Sequence, residues 1–81
     1  MHINAADLPD GSWGLLTDIV VHIHKFYSDV DVVAGEGGIT LSSGGLSDEV
    51  VRRIALAAAS NVVLIRQAKA GRGQILGMLL Q

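Results

Sequence analysis

The sequence contains no cysteine and a single proline, and aromatic residues make up only 4% of its 81 positions. Without cysteine there is no disulfide framework, no thiol nucleophile and no thiolate metal ligand. Because rings are so few, the core must be aliphatic, and apolar residues do form 49% of the chain. We expect some of this apolar surface to lie at a contact with a protein partner or within a homo-oligomer, since small domains leave much of their surface exposed.

Charged residues are also sparse, at 17%, and the formal net charge is −2. The basic residues are scattered, and only Arg66, Lys69 and Arg72 are close enough in sequence for a local patch. This pattern lacks the basic stripe with aromatics that is typical of nucleic-acid binding. No signal peptide and no membrane-spanning run is recognisable. We therefore expect a complete, cytoplasmic, single domain over residues 1–81 that binds neither nucleic acid nor membrane.

The first third of the chain predicts a strand, a turn and a helix. Residues 2–6 alternate weakly and predict a short edge strand, and "LPDGSWG" supplies turn residues. Ser12 is the predicted N-cap of the first helix. The apolar stripe of that helix follows the i, i+3, i+4, i+7 spacing through Leu16, Ile19, Val20, Ile23 and Phe26.

The runs "SDVDVVAG" and "GITLSS" predict a β-hairpin around a glycine turn, in which Gly35, Gly37 and Gly38 would supply positive φ. Alternation places Val30, Val32 and Ala34 on one face of the first hairpin strand.

Ser47 then predicts the start of a second helix, with Asp48 and Glu49 in its first turn. The β-branched run over residues 62–67 predicts a fourth strand, but one helix from Asp48 to about Ala70 is an alternative that the pattern leaves open. "KAGRG" predicts a break, and "QILGMLLQ" a short closing helix. The resulting order βαββαβα predicts a two-layer α+β open-faced sandwich, with a four-stranded antiparallel sheet and three helices on one face.

The element order and the segment "KFYSDVDVVAGEGGITLSS" (25–43) resemble HPr, the histidine-containing phosphocarrier family of the bacterial sugar phosphotransferase system. Members carry a Gly-x-His-Ala-Arg-Pro-Ala motif at the first helix, where the His accepts a phosphoryl group. Here the corresponding stretch is "DGSWGLLTD", with Ser12 or Trp13 in place of the His and Gly14 or Leu15 in place of the Arg. The resemblance thus implies an HPr-like domain without the phosphoacceptor His, and it aligns Ser43 with a serine that a regulatory kinase modifies in some members.

The resulting hypothesis is a non-enzymatic interaction or regulatory module, with phosphotransferase-system proteins among its expected partners. We expect its partner-binding surface at Ser12, Trp13 and Gly14, together with Leu46 and Ser47. Two alternatives are a phosphocarrier with a non-standard acceptor and a self-assembling structural subunit.

His22 and His24 are the closest pair of possible metal ligands. On a helix, residues two apart point about 200° from each other and cannot share a metal ion, whereas on a strand they would share a face. In the predicted helix they also lie away from the N-terminal amides that would hold a phosphate. We therefore expect no metal site, no cofactor and no catalytic residues.

Overall fold

The structure, a computed structural model, describes the backbone of residues 1–79 and the side chains of residues 1–70. Its strands are β1 (His2–Asn4), β2 (Asp31–Gly35) and β3 (Gly38–Ser42), and its helices are α1 (Leu16–Phe26) and α2 (Asp48–Leu79). Two 3-10 turns, Ala5–Asp7 and Trp13–Leu15, join β1 to α1.

The strands form one antiparallel sheet in the order β1-β3-β2, which confirms the predicted edge strand and hairpin. Ile3 of β1 lies opposite Ile39 of β3, and Val32 of β2 lies opposite Leu41. All four side chains are buried, whereas residues between them on the strands, such as Val33, are exposed. This alternation shows that one face of the sheet covers the core and the other faces solvent.

The hairpin turn differs from the prediction in the residues that adopt positive φ. Glu36 (φ 56°) and Gly37 (φ 76°) are the two turn residues, and Gly35 and Gly38 pair with each other at the ends of the strands. Two successive positive φ values match the right-handed twist of a two-residue hairpin, which explains why the turn includes a non-glycine residue in the left-handed region.

β2 lies at the edge of the sheet, and α1 reaches this edge through one side chain. Nε2 of His24 is 3.0 Å from the carbonyl oxygen of Val32. Because a carbonyl only accepts hydrogen bonds, the ring nitrogen must donate. Thus His24 connects the third turn of α1 to the outer edge of the sheet.

α1 begins at Leu16, after the 3-10 turn, so the prediction of Ser12 as a side-chain cap is wrong. The hydroxyl of Ser12 instead donates to the carbonyl of Pro9 at 2.6 Å. Ile19 and Ile23 of the predicted stripe are fully buried against the sheet, but Phe26 is 61% exposed. Three residues of helix turn Phe26 by about 60° from the direction of Ile23, which brings it to the side of α1 that faces α2.

α2 begins as predicted, with the Ser47 hydroxyl accepting a 3.3 Å hydrogen bond from the amide of Val50. The predicted strand over 62–67 is wrong, because the backbone there continues as helix, in agreement with the alternative of one long helix. Val62 and Val63 lie four residues after the buried Ala58 and Ala59, and they extend the same buried face. Burial of that face outweighs the local β preference of "NVVLI".

The predicted break at "KAGRG" is also wrong, since α2 runs without interruption to Leu79. Up to Leu79, the expected closing helix over 74–81 is therefore part of α2 and not a separate element. The side chains of residues 71–81 lie outside the described residues. In the described part of the chain, the architecture is an α+β domain with a three-stranded antiparallel sheet and two α-helices. The α+β class is confirmed, and the counts of four strands and three helices are wrong.

The core lies between the inner face of the sheet and the two helices. Small buried alanines on the contact face of α2, Ala55, Ala58 and Ala59, let this helix pack closely against α1. The buried core cluster comprises Ile3, Leu8, Ile19, Ile23, Val30, Val32, Ile39, Leu41, Val51, Ala55, Ala58, Ala59 and Val62. Ala34, predicted on this face, is exposed.

α2 extends beyond its segment that packs on the core. Its 32 residues span about 48 Å at 1.5 Å per residue. Among residues 48–70, whose side chains the structure describes, the buried positions of α2 extend from Val51 to Val63, and residues 64–70 are all exposed. No helix among the described residues combines the length and the hydrophobicity that a membrane crossing requires.

Candidate functional site

α1 and α2 enclose a groove of about 450 Å³ on the surface of the helical layer. Val21 and Phe26 line it from α1, and Val62 and Ile65 line it from α2. Val62 is buried and forms part of the floor, whereas Val21, Phe26 and Ile65 are 59%, 61% and 49% exposed. The groove therefore presents several large apolar side chains to solvent at one place.

Helical spacing explains why these residues meet. On α2, Val62, Ile65 and Lys69 follow the i, i+3, i+7 pattern of a single helical face, and on α1 the lining residues from Asp18 to Lys25 do the same. When two neighbouring helices place such faces side by side, a continuous groove forms between them.

Charged groups surround the apolar floor of this groove. Asp18 accepts a 2.7 Å ion-pair hydrogen bond from Arg66, which links the two helices, although both side chains remain about half exposed or more. Lys25 places its ammonium 5.4 Å from the centre of the Phe26 ring, in a cation–π arrangement. With Lys69, the groove has three cations and one carboxylate, so its rim is positively charged overall.

His22 and His24 lie on α1 but have different surroundings. The His22 ring lines the groove, with its centre 4.7 Å from the centre of the Phe26 ring and tilted by 48°. His24 contacts the edge of the sheet instead. Among the described residues, no three His, Asp or Glu side chains come together in a group that could hold a metal ion.

The residues of the predicted partner surface have unequal accessibility. Ser12 is only 1% exposed, so the structure gives its hydroxyl a structural contact with Pro9. Trp13 is 66% exposed, and the edge of its indole ring lies against Gly37 at the hairpin turn. Gly14 is exposed, with open space around its Cα. Only Trp13 thus offers a large side chain at this surface.

Leu46 and Ser47 lie elsewhere on the molecule. The Trp13 ring lies beside Gly37, which precedes β3, whereas Leu46 and Ser47 follow the other end of that strand. A five-residue strand spans about 17 Å, and the structure therefore does not bring the two predicted groups together. In the same loop, the half-buried Ser43 accepts a long, 3.4 Å hydrogen bond from the amide of Gly45.

The groove does not follow from the sequence patterns. These patterns assign Phe26 to the buried stripe of α1 and residues 62–67 to a strand, so they predict neither wall. The i, i+3, i+4, i+7 sequence of Val62, Ile65, Arg66 and Lys69 was the available signal, because it continues the helical period of α2 beyond the core.

Comparison of the chain with protein-family models, with curated proteins and with solved structures gives no match.

Proposed function

We propose that this chain is a non-catalytic interaction or regulatory module that binds a protein partner through the α1–α2 groove. The observation that carries the proposal is the exposure of Val21, Phe26 and Ile65 around one cavity. Large apolar side chains that cluster on a surface lose unfavourable contact with water when a partner covers them, at about 25 cal/mol per Å². Scattered apolar residues would need no such explanation.

The composition of the groove supports the same interpretation. Its apolar floor is bordered by charged and polar side chains, as the apolar core of a protein interface is bordered by a polar rim. Large side chains that fill a pocket of the partner carry much of the binding energy in protein interfaces. Phe26 is the exposed aromatic side chain of this groove, and the His22 ring and the Lys25 ammonium lie beside its ring.

Phe26→Asp tests the proposal, with Val33→Asp as a matched control. Val33 is 63% exposed, close to the 61% of Phe26, but it lies on the outer face of the sheet. Cross-linked capture from the source cells should recover a partner with the wild type and the control variant and lose it with Phe26→Asp. Circular dichroism must first show that both variants are folded. Equal recovery with the two variants contradicts the groove as the binding surface, and no specific recovery by the wild type contradicts the function.

The resemblance to HPr adds a biological setting to this proposal. On the basis of that resemblance, we propose that the module acts in a bacterial cytoplasm and is linked to the sugar phosphotransferase system, with components of that system among its partners. In this setting Trp13 provides a second contact, because it is the large exposed side chain at the start of the first helical region. Leu46, at 38% exposure, and Ser47 would contribute separately from Trp13, since they follow the other end of β3.

A second candidate function is phosphoryl transfer with His22 as the acceptor. The observation that favours it is the lining of the groove, in which His22 is accompanied by Lys25, Arg66 and Lys69. Cations of this kind stabilise the negative charge of a phosphoryl group. The ring nitrogen of His22 would attack the phosphoryl group carried by the phosphorylated first enzyme of the phosphotransferase system, and the bond between phosphorus and that enzyme's phosphorylated residue would break.

Intact-protein mass spectrometry tests this second candidate after incubation with phosphoenolpyruvate and the first enzyme of the phosphotransferase system. A gain of one phosphoryl group that is labile in acid, and that His22→Ala abolishes but His24→Ala retains, would support it. An acid-stable adduct would point to a serine such as Ser43. No gain of mass in a folded sample would exclude the carrier function and leave the interaction module.

A further inference from the structure

We infer that the α1–α2 groove binds an amphipathic helix with acidic flanks, supplied by another protein; this inference rests on the proposed function and specifies the partner. The floor of the groove comes from two helical faces, with Val21 and Phe26 on one side and Val62 and Ile65 on the other. A third helix with an apolar stripe can pack between two such faces, as amphipathic helices do in apolar grooves.

The charge of the groove indicates which residues should flank the apolar stripe of the partner helix. Lys25, Arg66 and Lys69 outnumber the single carboxylate of Asp18, so the rim carries an excess of positive charge. This excess is opposite in sign to the net charge of the whole chain, which is −2. Acidic residues beside the apolar stripe of a partner would pair with this rim, whereas basic residues would be repelled by it.

Lys25 and Lys69 are well placed for this role. Both are exposed, and one lies on each wall of the groove. Arg66 is less available, because it already forms an ion pair with Asp18 at 2.7 Å. A helix lying between the walls would therefore meet one lysine on each side of its apolar stripe, which favours acidic residues on both flanks.

A second copy of this chain fits the groove less well. The exposed start of α2 offers Asp48 and Glu49, but Arg52 and Arg53 follow on the next turn, and Glu49 is already paired with Arg53 at 2.7 Å. Its flanks are thus of mixed sign. The partner that matches the rim is a helix whose flanks are uniformly acidic.

Two synthetic helical peptides with the same apolar stripe test the inference. One carries glutamates on both flanks and the other carries lysines, and each is titrated into the isotope-labelled full-length chain while amide chemical shifts are followed by NMR. We expect the acidic peptide to shift the amides of Val21, Phe26 and Ile65 and to bind about tenfold more tightly, since two exposed charge contacts each change affinity a few-fold. The double variant Lys25→Glu and Lys69→Glu should reverse the preference.

Equal affinity of the two peptides for the wild type would overturn the inference about acidic flanks. The same conclusion would follow from shifts confined to surfaces outside the groove. Neither result affects the proposed function, which depends on loss of the cellular partner with Phe26→Asp. A dimer seen by light scattering that Phe26→Asp dissociates would show that a second copy occupies the groove, which also overturns the inference. If the double variant does not fold, the affinities of the acidic and the basic peptide for the wild type still test the inference.

Discussion

Replacement of Gly38 by alanine should detach β1 from the sheet. A Cβ at this position would overlap the carbonyl oxygen of Ile3 and lie 2.9 Å from the Cα of Asn4. Both are backbone atoms, so no side-chain rotation can relieve the clash. The strand itself must move away from β3.

The expected cost can be worked out from what β1 contributes. Ile3 is only 2% exposed, and burial of an isoleucine side chain is worth about 1.5–3 kcal/mol. The amide of Leu41 donates to the Met1 carbonyl and that of Ala5 to the Gly37 carbonyl, each at 2.8 Å, and each such bond contributes about 1 kcal/mol net. We therefore expect Gly38→Ala to lower the free energy of unfolding by about 3.5–5 kcal/mol.

The assay is urea unfolding followed by circular dichroism, with Gly35→Ala as the matched control. Gly35 pairs directly with Gly38 across the hairpin, but a Cβ there meets nothing within 4 Å. The control should change stability by less than about 1 kcal/mol. Amide hydrogen exchange should show Ala5 and Leu41 losing protection in Gly38→Ala, while Ile23 in α1 retains it. A Gly38→Ala protein as stable as Gly35→Ala would refute the close approach of β1 and β3.

Three further outcomes are expected. Trp13→Ala should lower the free energy of unfolding by no more than about 1 kcal/mol, because the ring is 66% exposed. The folded variant should bind the partner more weakly, and a variant that recovers as much partner as the wild type in a capture assay would contradict the role of Trp13 as a contact. Glu36→Asn should raise the thermal midpoint, with a gain of about 0.5 kcal/mol, because asparagine tolerates the left-handed φ of 56° better than glutamate; a lower midpoint would argue against this turn. Asp18→Asn should cost less than about 1 kcal/mol in urea unfolding at low salt, since its ion pair with Arg66 is exposed, and a larger loss would show that the pair is essential to helix packing.

The hairpin and the start of α2 could be predicted because local chemistry determines them. Alternating apolar residues place Val32, Ile39 and Leu41 on one face, and Ser47 provides a cap that depends only on its neighbours. Such features require no knowledge of distant parts of the chain. The same locality explains why the class of fold was correct.

The second half of α2 and the groove could not be predicted with the same rules. Residues 62–67 prefer strand by local propensity, and the burial of Val62 and Val63 one turn after Ala58 and Ala59 favours helix instead. The exposure of Phe26 likewise depends on the position of α2 beside α1, and the spacing of apolar residues within α1 does not contain that information. The predicted fourth strand was wrong because residues 62–67 are helical. The groove could not be predicted either, because its walls include this segment of α2 and Phe26 of α1.

The contact between His24 and Val32 bears on how the sheet meets other molecules. An open strand edge with unpaired carbonyls and amides is a template on which a foreign strand can add, and such additions begin many aggregation reactions. Here the ring of His24 already donates a hydrogen bond to the carbonyl of Val32, the second residue of β2. An incoming strand would have to break this bond and displace the ring before it could align. The domain therefore discourages growth of its sheet from that edge.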